Sequence, residues 1–525
     1  MCPGRRIRIA ATFFALAAVG EAIAQSENPA ARGATTTLRV AAQNRLPPAV
    51  SERAVTAASP FSEPCGDRAG TVSIGAEVEP HVAINPLNPN HLVGAWQQDR
   101  YSNGGARGQG YGASFDGGLT WTRGALPVTT CTGGEYARAT DPWVTFAPDG
   151  TVHQITLAFT GESSAPGSVN AMMASRSLDG GITWSVPITI ARDTDTLFND
   201  KETITADPLD ARFVYAVWDR LLGGNISATI FSRSTDAGVT WEPSRALYTP
   251  PQGGGTIGNL IRVLPNGTLV NVFMQLSGPP AIYVMRSTDR GVTWSAPNRV
   301  IAAGALGAVD PETGDFIRDG SIIPEMAVGP DGTLHLVWQD ARFTQVRDAI
   351  AYSRSTDAGL TWSAPVRVNA EPGVVAFTPQ VHVRADGMIG VTYYDLRSNT
   401  ADPATLLTDY WLARSVDGVS WAETRVSAPF DISTAPFAGG WFVGDYTGLV
   451  SAGTTFIAFY AKTTGIASNA TDVFAARIEQ ATGALDAKAY RAAPMPQEDL
   501  GTRFWDAVSA NAARALERRY LKVQR

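Results

Sequence analysis

The chain has 525 residues, 42 Lys and Arg against 49 Asp and Glu, a net charge of -7, and 44% hydrophobic residues. This balance argues against nucleic acid and anionic membrane surfaces as partners, and the length allows one wide domain with an ample core.

At the N-terminus, Arg5, Arg6 and Arg8 precede an apolar run from Ile9 to Gly20 and the small-residue stretch Ala22-Ile23-Ala24. This is the pattern of a secretory signal peptide over 1–24, cleaved after Ala24, with an uncleaved anchor as the alternative. The run is too short to span a bilayer, and no later stretch reaches the roughly 20 apolar residues a spanning helix needs. A secreted or periplasmic protein is therefore expected, with no transmembrane segment in the mature chain. Cleavage removes three Arg and Glu21, a net +2, so the charge moves from -7 to -9. Cys2 leaves with the peptide; Cys65 and Cys131 remain and permit one disulfide, or stay as two separated thiols.

Residues 25–70 are rich in Ala, Ser, Thr, Pro and Arg without a sustained period and read as a linker or N-terminal arm, in which Thr37 to Ala41 is a possible added strand. From 71 to 490, short extended patterns alternate with turn residues. One loop pattern, Ser-x-Asp-x-Gly-x-Thr-Trp, organises this region. Intact copies run Ser114–Trp121, Ser177–Trp184, Ser234–Trp241, Ser287–Trp294 and Ser355–Trp362, and Ser415–Trp421 is one residue short. The Trp-to-Trp steps are 63, 57, 53, 68 and 59 residues, a period of about 60 that suits one four-stranded propeller blade per step. In each copy the carboxylate (Asp116, Asp179, Asp236, Asp289, Asp357, Asp417) can accept hydrogen bonds from the loop's own N–H groups, Gly supplies a positive φ, and Trp anchors the loop. A calcium loop would need several oxygen ligands where each copy offers one carboxylate.

Seven hairpin turns punctuate the same region, at Pro86 to Asn90, Pro148 to Gly150, Pro208 to Ala211, Pro265 to Gly267, Pro330 to Gly332, Ala385 to Gly387 and Ser451 to Gly453. The seventh unit lacks the Asp loop but keeps strand patterns at Thr455–Tyr460 and Asp472–Ile478. The expected fold is all-β, a propeller with seven blades, six being the alternative. In the tail, 491–525, Leu500, Phe504, Val508, Ala512, Leu516 and Tyr520 recur every four residues and describe an amphipathic helix that packs on the propeller. Its basic end (Arg518, Arg519, Lys522, Arg525) leaves partner or membrane-surface binding as the alternative.

In an up-and-down blade, the starts of first strands and the ends of second strands meet on the face opposite the Asp loops. These positions read Glu79-Pro80-His81, Asp141-Pro142-Trp143, Asp200-Lys201-Glu202, Gly258-Asn259, Pro324-Glu325, Thr378-Pro379-Gln380 and Asp445-Tyr446, with Asp99-Arg100, Asp219-Arg220, Asp340-Ala341-Arg342, Asp395-Leu396-Arg397 and Lys462 at second-strand ends. This rim is the expected ligand pocket. The repeated Asp/Arg pairs also read as salt bridges within each unit.

The six loops resemble the Asp-box, or bacterial neuraminidase repeat, of the sialidase superfamily, and Gly444-Asp445-Tyr446-Thr447-Gly448-Leu449 resembles the Tyr-Ser-x-Leu segment of those enzymes. The resemblance implies Tyr446 as nucleophile with Glu325 or Glu202 beside it, Asp141 as acid/base, and Arg220, Arg342 and Arg397 for a substrate carboxylate. Arg100, Asp200, Lys201 and Trp143 add substrate contacts on the rim. The family's early Arg-Ile-Pro segment has no counterpart, since the first strand reads Glu79-Pro80-His81-Val82-Ala83-Ile84. No cofactor or metal is expected: there is no phosphate loop, and His81, His91, His153, His335 and His382 lack zinc-type spacing. The expected function is an exported exo-glycosidase acting on terminal, acidic sugars of a glycan. A non-catalytic glycan- or protein-binding propeller is the alternative.

Overall fold

The computed structural model describes residues 49–61, 65–67, 69–162, 165–223, 226–251, 254–479, 489–495 and 500–520. The expected signal peptide, the candidate strand at 37–41, Lys522 and Arg525 lie outside the described residues.

Seven successive antiparallel units of four strands follow the turn punctuation. Their first strands are Val72–Asn85, Arg138–Phe146, Phe198–Ala206, Thr256–Val263, Glu325–Val328, Ala376–Val383 and Gly448–Ala452. Each first strand lies against that of the next unit, and the seventh lies against the first. Apolar residues fill the space between sheets, with Trp96, Trp218 and Trp338 buried on second strands.

The Asp loops explain how neighbouring sheets are held. At Asp357, Ser355 Oγ and Thr361 N donate to Oδ1 at 2.8 and 2.9 Å, and Thr361 Oγ1 donates to Oδ2 at 2.6 Å. Gly359, at φ +83°, donates its N–H to Ser355 Oγ at 2.9 Å. The threonine Oγ1 bond recurs at 2.5–2.6 Å at Asp116, Asp179, Asp236 and Asp289. In the short copy, Val419 N and Ser420 N donate to Asp417 at 2.8 and 2.7 Å. The closing Trp then reaches the preceding unit: Trp184 packs on Tyr111 at 5.6 Å, Trp294 on Phe231 at 5.5 Å and Trp421 on Tyr352 at 5.2 Å. Trp121 of the first unit packs on Phe459 of the seventh at 5.4 Å.

The fourth strand of the seventh unit comes from the stretch read as a linker. Ala49–Ala54 pairs antiparallel with Asn469–Glu479, from Ala49 opposite Glu479 to Ala54 opposite Phe474. Its sequence, AVSERA, is half-exposed and shows no apolar alternation, so the pattern that marks other strands is missing. A disulfide joins Cys65 to Cys131, Cα to Cα 5.1 Å, and ties the arm to the segment after the first unit. At the other end, Tyr490–Arg491 pairs with the outer strand of the sixth unit.

The one α-helix among the described residues, α1, runs Gly501–Tyr520. Leu500, Phe504, Val508, Ala512 and Ala515 are buried, whereas Leu516 is half-buried. A four-residue interval drifts around a 3.6-residue helix, so the covered stripe passes from 512 to 515 instead of 516. None of the described helices is long and apolar enough to cross a membrane.

Candidate functional site

Five first strands carry the same irregularity. Register slips between Val78 and His81, Thr140 and Trp143, Asp200 and Thr203, Ile257 and Leu260, and Phe377 and Gln380. At these bulges Glu79, Asp141, Lys201 and Thr378 sit at φ 53°, 52°, 53° and 49°, and Gly258 at 71°. A left-handed non-glycine residue costs about 1–2 kcal/mol, and such strain persists only where surrounding structure compels it. The extra residue re-aims a side chain out of the sheet; here it brings charged groups from different units together.

Lys201 is the hub. Its Nζ lies 2.7 Å from Asp141 Oδ2, 2.8 Å from Asp445 Oδ2 and 3.1 Å from Glu79 Oε1, with all four side chains buried. Gln97 Nε2 donates to Glu79, and to Thr140 Oγ1 at 2.7 Å; Thr140 Oγ1 donates to Asp141 Oδ1 at 2.6 Å. Arg100 Nη1 donates to Gln97 Oε1 at 2.8 Å. Asp445 is also gripped by two guanidinium forks: Arg318 at 3.2 and 2.8 Å, and Arg519 of α1 at 3.3 and 2.8 Å.

Burial alone would push every carboxyl in this cluster up. For Asp445 the cations Arg318, Arg519 and Lys201 outweigh it and hold the group well below the usual range. Asp141 is held down in the same way by Lys201 and by hydrogen bonds from Glu79, Lys201 and Thr140. Glu79 goes the other way, raised by burial and by the charge of Asp141. The pair therefore keeps one proton, on Glu79. Lys201, which burial alone would lower, is raised well above its ordinary value by Asp141, Asp445 and Glu79. Burial and the neighbouring Arg318 lower Arg100 to about 10.

Beside this cluster lies a narrow cavity of about 20 Å³, lined by Trp143, Glu202, Gly258, Ile323, Glu325 and Tyr446 among others, with room for one or two waters. Glu202 is 2% exposed, and neither of its carboxyl oxygens has a hydrogen-bond partner; Glu325 Oε2 also lacks one. Burial, then the charge of Asp141, raises Glu202 well above the carboxylate range. Burial raises Glu325 to about 7. Tyr446 donates its hydroxyl to the Pro142 carbonyl at 3.2 Å and meets Trp143 edge-on at 5.2 Å. Burial and the carboxylates Glu79, Asp141, Glu202 and Asp445 raise its phenol well above 10, so it stays protonated. His81 stacks on Trp143 at 3.7 Å.

Of the residues singled out from the sequence, Trp143, Lys201, Glu202, Glu325 and Tyr446 line this cavity, while Asp141 and Arg100 stand in the adjoining cluster. Asp200 is buried next to Lys201 and pairs across the strands with Asp219. Three arginines are engaged elsewhere. Arg220 binds Asp193 at 2.9 Å, Arg342 binds Asp340 at 2.6 Å, and Arg397 binds Asp395 and Glu423 at 2.6 and 2.8 Å while stacking on Trp411. Asp219, which stands beside Arg220 in the sequence, instead accepts from Thr256 Oγ1 at 2.7 Å and Gly258 N at 2.9 Å in the next unit. The arginines that reach the central cluster besides Arg100 are Arg318 and Arg519. Arg318 lies in the irregular connection before the fifth unit, and 127 residues separate it from Asp445; for Arg519 the separation is 74. No local pattern signals contacts of that range. Among the described residues, no group of three His, Cys, Asp or Glu side chains is placed to hold a metal ion.

Chemically, the site pairs ionised carboxylates neutralised by fixed cations with neutral carboxyls that face a small cavity. That is an arrangement able to give and take a proton.

No family model matches the chain, and no curated protein does. Among solved structures, a Dyadobacter fermentans protein of unknown function is 15% identical with a TM-score of 0.43, over 66% of this chain and 94% of its own. An α-L-arabinanase of Penicillium chrysogenum complexed with arabinobiose is 14% identical with a TM-score of 0.43, over 81% and 98%. A Trypanosoma rangeli sialidase in complex with 2,3-difluorosialic acid is 12% identical with a TM-score of 0.41, over 82% and 58%.

Proposed function

We propose that this chain is an exported glycoside hydrolase on a seven-bladed β-propeller, with its reaction centre at the axial cavity. The observation that carries the reading is the Glu202 carboxyl, almost wholly buried, without a hydrogen-bond partner and facing the cavity beside Glu325. Leaving such a group unpaired costs about 1–3 kcal/mol, an expense that a ligand recovers. Two carboxyls of raised pKa facing one space suit general acid–base cleavage of a glycosidic bond. In this scheme Glu202 protonates the leaving-group oxygen as the glycosidic C–O bond breaks. Glu325, which titrates near neutrality, takes the proton of the water that adds to the anomeric carbon, and exchange with solvent restores both carboxyls. Asp141, kept ionised by Lys201, stabilises positive charge that develops on the sugar. The seven four-stranded units and the contact of the last first strand with the first support the blade count.

The sialidase-type reading, cleavage of a terminal acidic sugar with Tyr446 as nucleophile, draws support from the presence of Tyr446, Glu202 and Glu325 in one cavity. The hydrogen bond of Tyr446 to Pro142 and its raised pKa favour the carboxyl scheme over that one. A non-catalytic glycan-binding propeller is favoured by a separate observation: the cavity admits only about one or two waters as it stands. The test is hydrolysis of a panel of 4-methylumbelliferyl glycosides, a sialoside included, by the purified protein, Glu202→Gln and Tyr446→Phe. Activity lost in Glu202→Gln and kept in Tyr446→Phe supports the carboxyl scheme. Loss with Tyr446→Phe on the sialoside supports the sialidase type, and no turnover of any glycoside leaves the binding reading.

A further inference from the structure

The C-terminal helix is tied to the axial site through Asp445, which Arg519 and the cavity-wall residue Lys201 share. Ala512 and Ala515 belong to the apolar cluster that contains Trp143, Ile323 and Tyr446 of the cavity wall. At the N-terminal end, Leu500, Phe504 and Val508 pack with Ala341 and Leu306. In the middle, Asn511 Nδ2 donates to the Ala305 carbonyl at 3.2 Å. At the C-terminal end, Arg519 Nη2 donates to Asp445 Oδ1 at 2.8 Å and to the Asp319 carbonyl at 3.1 Å. Asp445 is the residue that Lys201 grips from the cavity side, so one carboxylate joins the helix to the centre of the site.

The fastening is one-sided. Between α1 and the segments Gly254–Gly255 and Leu276–Pro279 runs a groove of about 480 Å³ beside Trp505, Asp506 and Ser509. The helix thus rests on an apolar stripe, the ion pair at Asp445 and the Arg518 guanidinium over the Phe316 ring at 3.9 Å, with its flank along the groove unpacked. Elements of low packing density open locally before the fold as a whole. Arg519 is also dispensable to the charge balance around Asp445, which keeps Arg318 at 2.8 Å and Lys201 at 2.8 Å when Arg519 is gone.

We propose that α1 is a built-in plug of the axial cavity, held shut by the Arg519–Asp445 ion pair, and that its release admits ligand to the cavity. That this ligand is a glycoside rests on the function proposed above; the closure itself does not. An α1 that swings away takes Arg519 off Asp445 and leaves that carboxylate, still neutralised by Arg318 and by Lys201 of the cavity wall, facing the opened space.

The test uses the full chain carrying Thr203→Cys on the cavity wall, labelled with iodoacetamide and followed by mass spectrometry of the peptide that contains residue 203, alongside hydrogen exchange of α1. Adding Arg519→Ala is expected to speed labelling and the exchange of residues 501–520 at least tenfold, with strand amides unchanged, and Arg519→Lys to fall between. Asn511→Ala, which removes the mid-helix bond, is expected to act in the same direction and supplies the reading should Arg519→Ala lose its folded circular dichroism. Labelling and exchange rates equal to those of the parent in the folded variants would overturn the plug. Faster labelling without gain in glycoside hydrolysis leaves the plug standing and counts against the hydrolase; hydrolysis with unchanged labelling does the reverse.

Discussion

Lys201 Nζ lies 2.7 Å from Asp141 Oδ2, and the two residues hold the same left-handed backbone conformation in neighbouring sheets, at φ 53° and 52°. Lys201 also neutralises Asp445 and faces Glu79, so its loss strands several buried carboxyls. Breaking a buried pair by removing one partner costs about 3–5 kcal/mol. Lys201→Met is expected to lose that much in urea unfolding at pH 7. Part of the loss returns on going to pH 5, because Asp141, no longer held down by the ammonium, then binds a proton in the folded state.

Glu202→Gln separates chemistry from stability. The carboxyl has no hydrogen-bond partner to lose, and the folded state holds it protonated at pH 7 where the unfolded chain ionises it, so Glu202→Gln should unfold no more easily than the parent at pH 7 and should gain stability there. Glycoside hydrolysis should fall by about 10²-fold or more, the size of a general acid–base contribution. A loss of activity matched by an equal loss of folded protein would remove Glu202 from the reaction.

Glu325 predicts a pH dependence of stability. Its carboxyl rises from 4.5 to about 7 on folding, chiefly through burial. The folded state then binds more protons than the unfolded one between these values. The associated stability is fully present below pH 4.5 and is lost as pH rises through about 7. Glu325→Gln should therefore be near neutral at pH 4 and stabilising at pH 8, by on the order of 1–3 kcal/mol. Thermal unfolding of both proteins across that range checks it; equal shifts at both ends would sink the assignment.

The Asp loops are braces, and their cost on removal should be local and repeatable. Asp357→Ala deletes the acceptor of Ser355 Oγ, Thr361 N and Thr361 Oγ1, and about 1–2 kcal/mol is expected. Gly359→Ala forces a Cβ into φ +83° and should cost about 1–2 kcal/mol. Neither substitution should alter ligand binding, because Asp357 takes no part in the axial cluster. Chemical denaturation paired with glycoside binding tests both halves.

Reduction of the disulfide between Cys65 and Cys131, 66 residues apart, should lower stability by about 2–4 kcal/mol, since the bond closes a long loop. Unfolding of Cys65→Ser/Cys131→Ser against the parent measures it. Strand Ala49–Ala54 should lose protection from hydrogen exchange first, because this arm is what the bond ties down.

How much of this was written in the chain depends on the range of the interaction concerned. Seven units and their turns are legible because a Ser-x-Asp-x-Gly loop and a Pro/Asn/Asp/Gly turn are local structures, satisfied by residues within five positions of one another. The strand starts at Glu79, Asp141 and Lys201 are legible as charged breaks in apolar runs, although their left-handed bulges are not. The strand Ala49–Ala54 escaped because AVSERA has no period of its own; it is a strand only because Asn469–Glu479 leaves an edge unpaired. The sequence presents Arg220, Arg342 and Arg397 alike, as rim residues or as halves of local salt bridges; Arg342 with Asp340 and Arg397 with Asp395 are such local pairs, whereas only the packing of the sheets turns Arg220 onto Asp193. The helix stripe is local and therefore readable, but the fact that Arg519 ends on Asp445 is not, nor is the arrival of Arg318 from an irregular connection. Local hydrogen bonding determined the units of this protein; long-range closure of the chain decided which charges meet at the centre, and so which groups there are free to react.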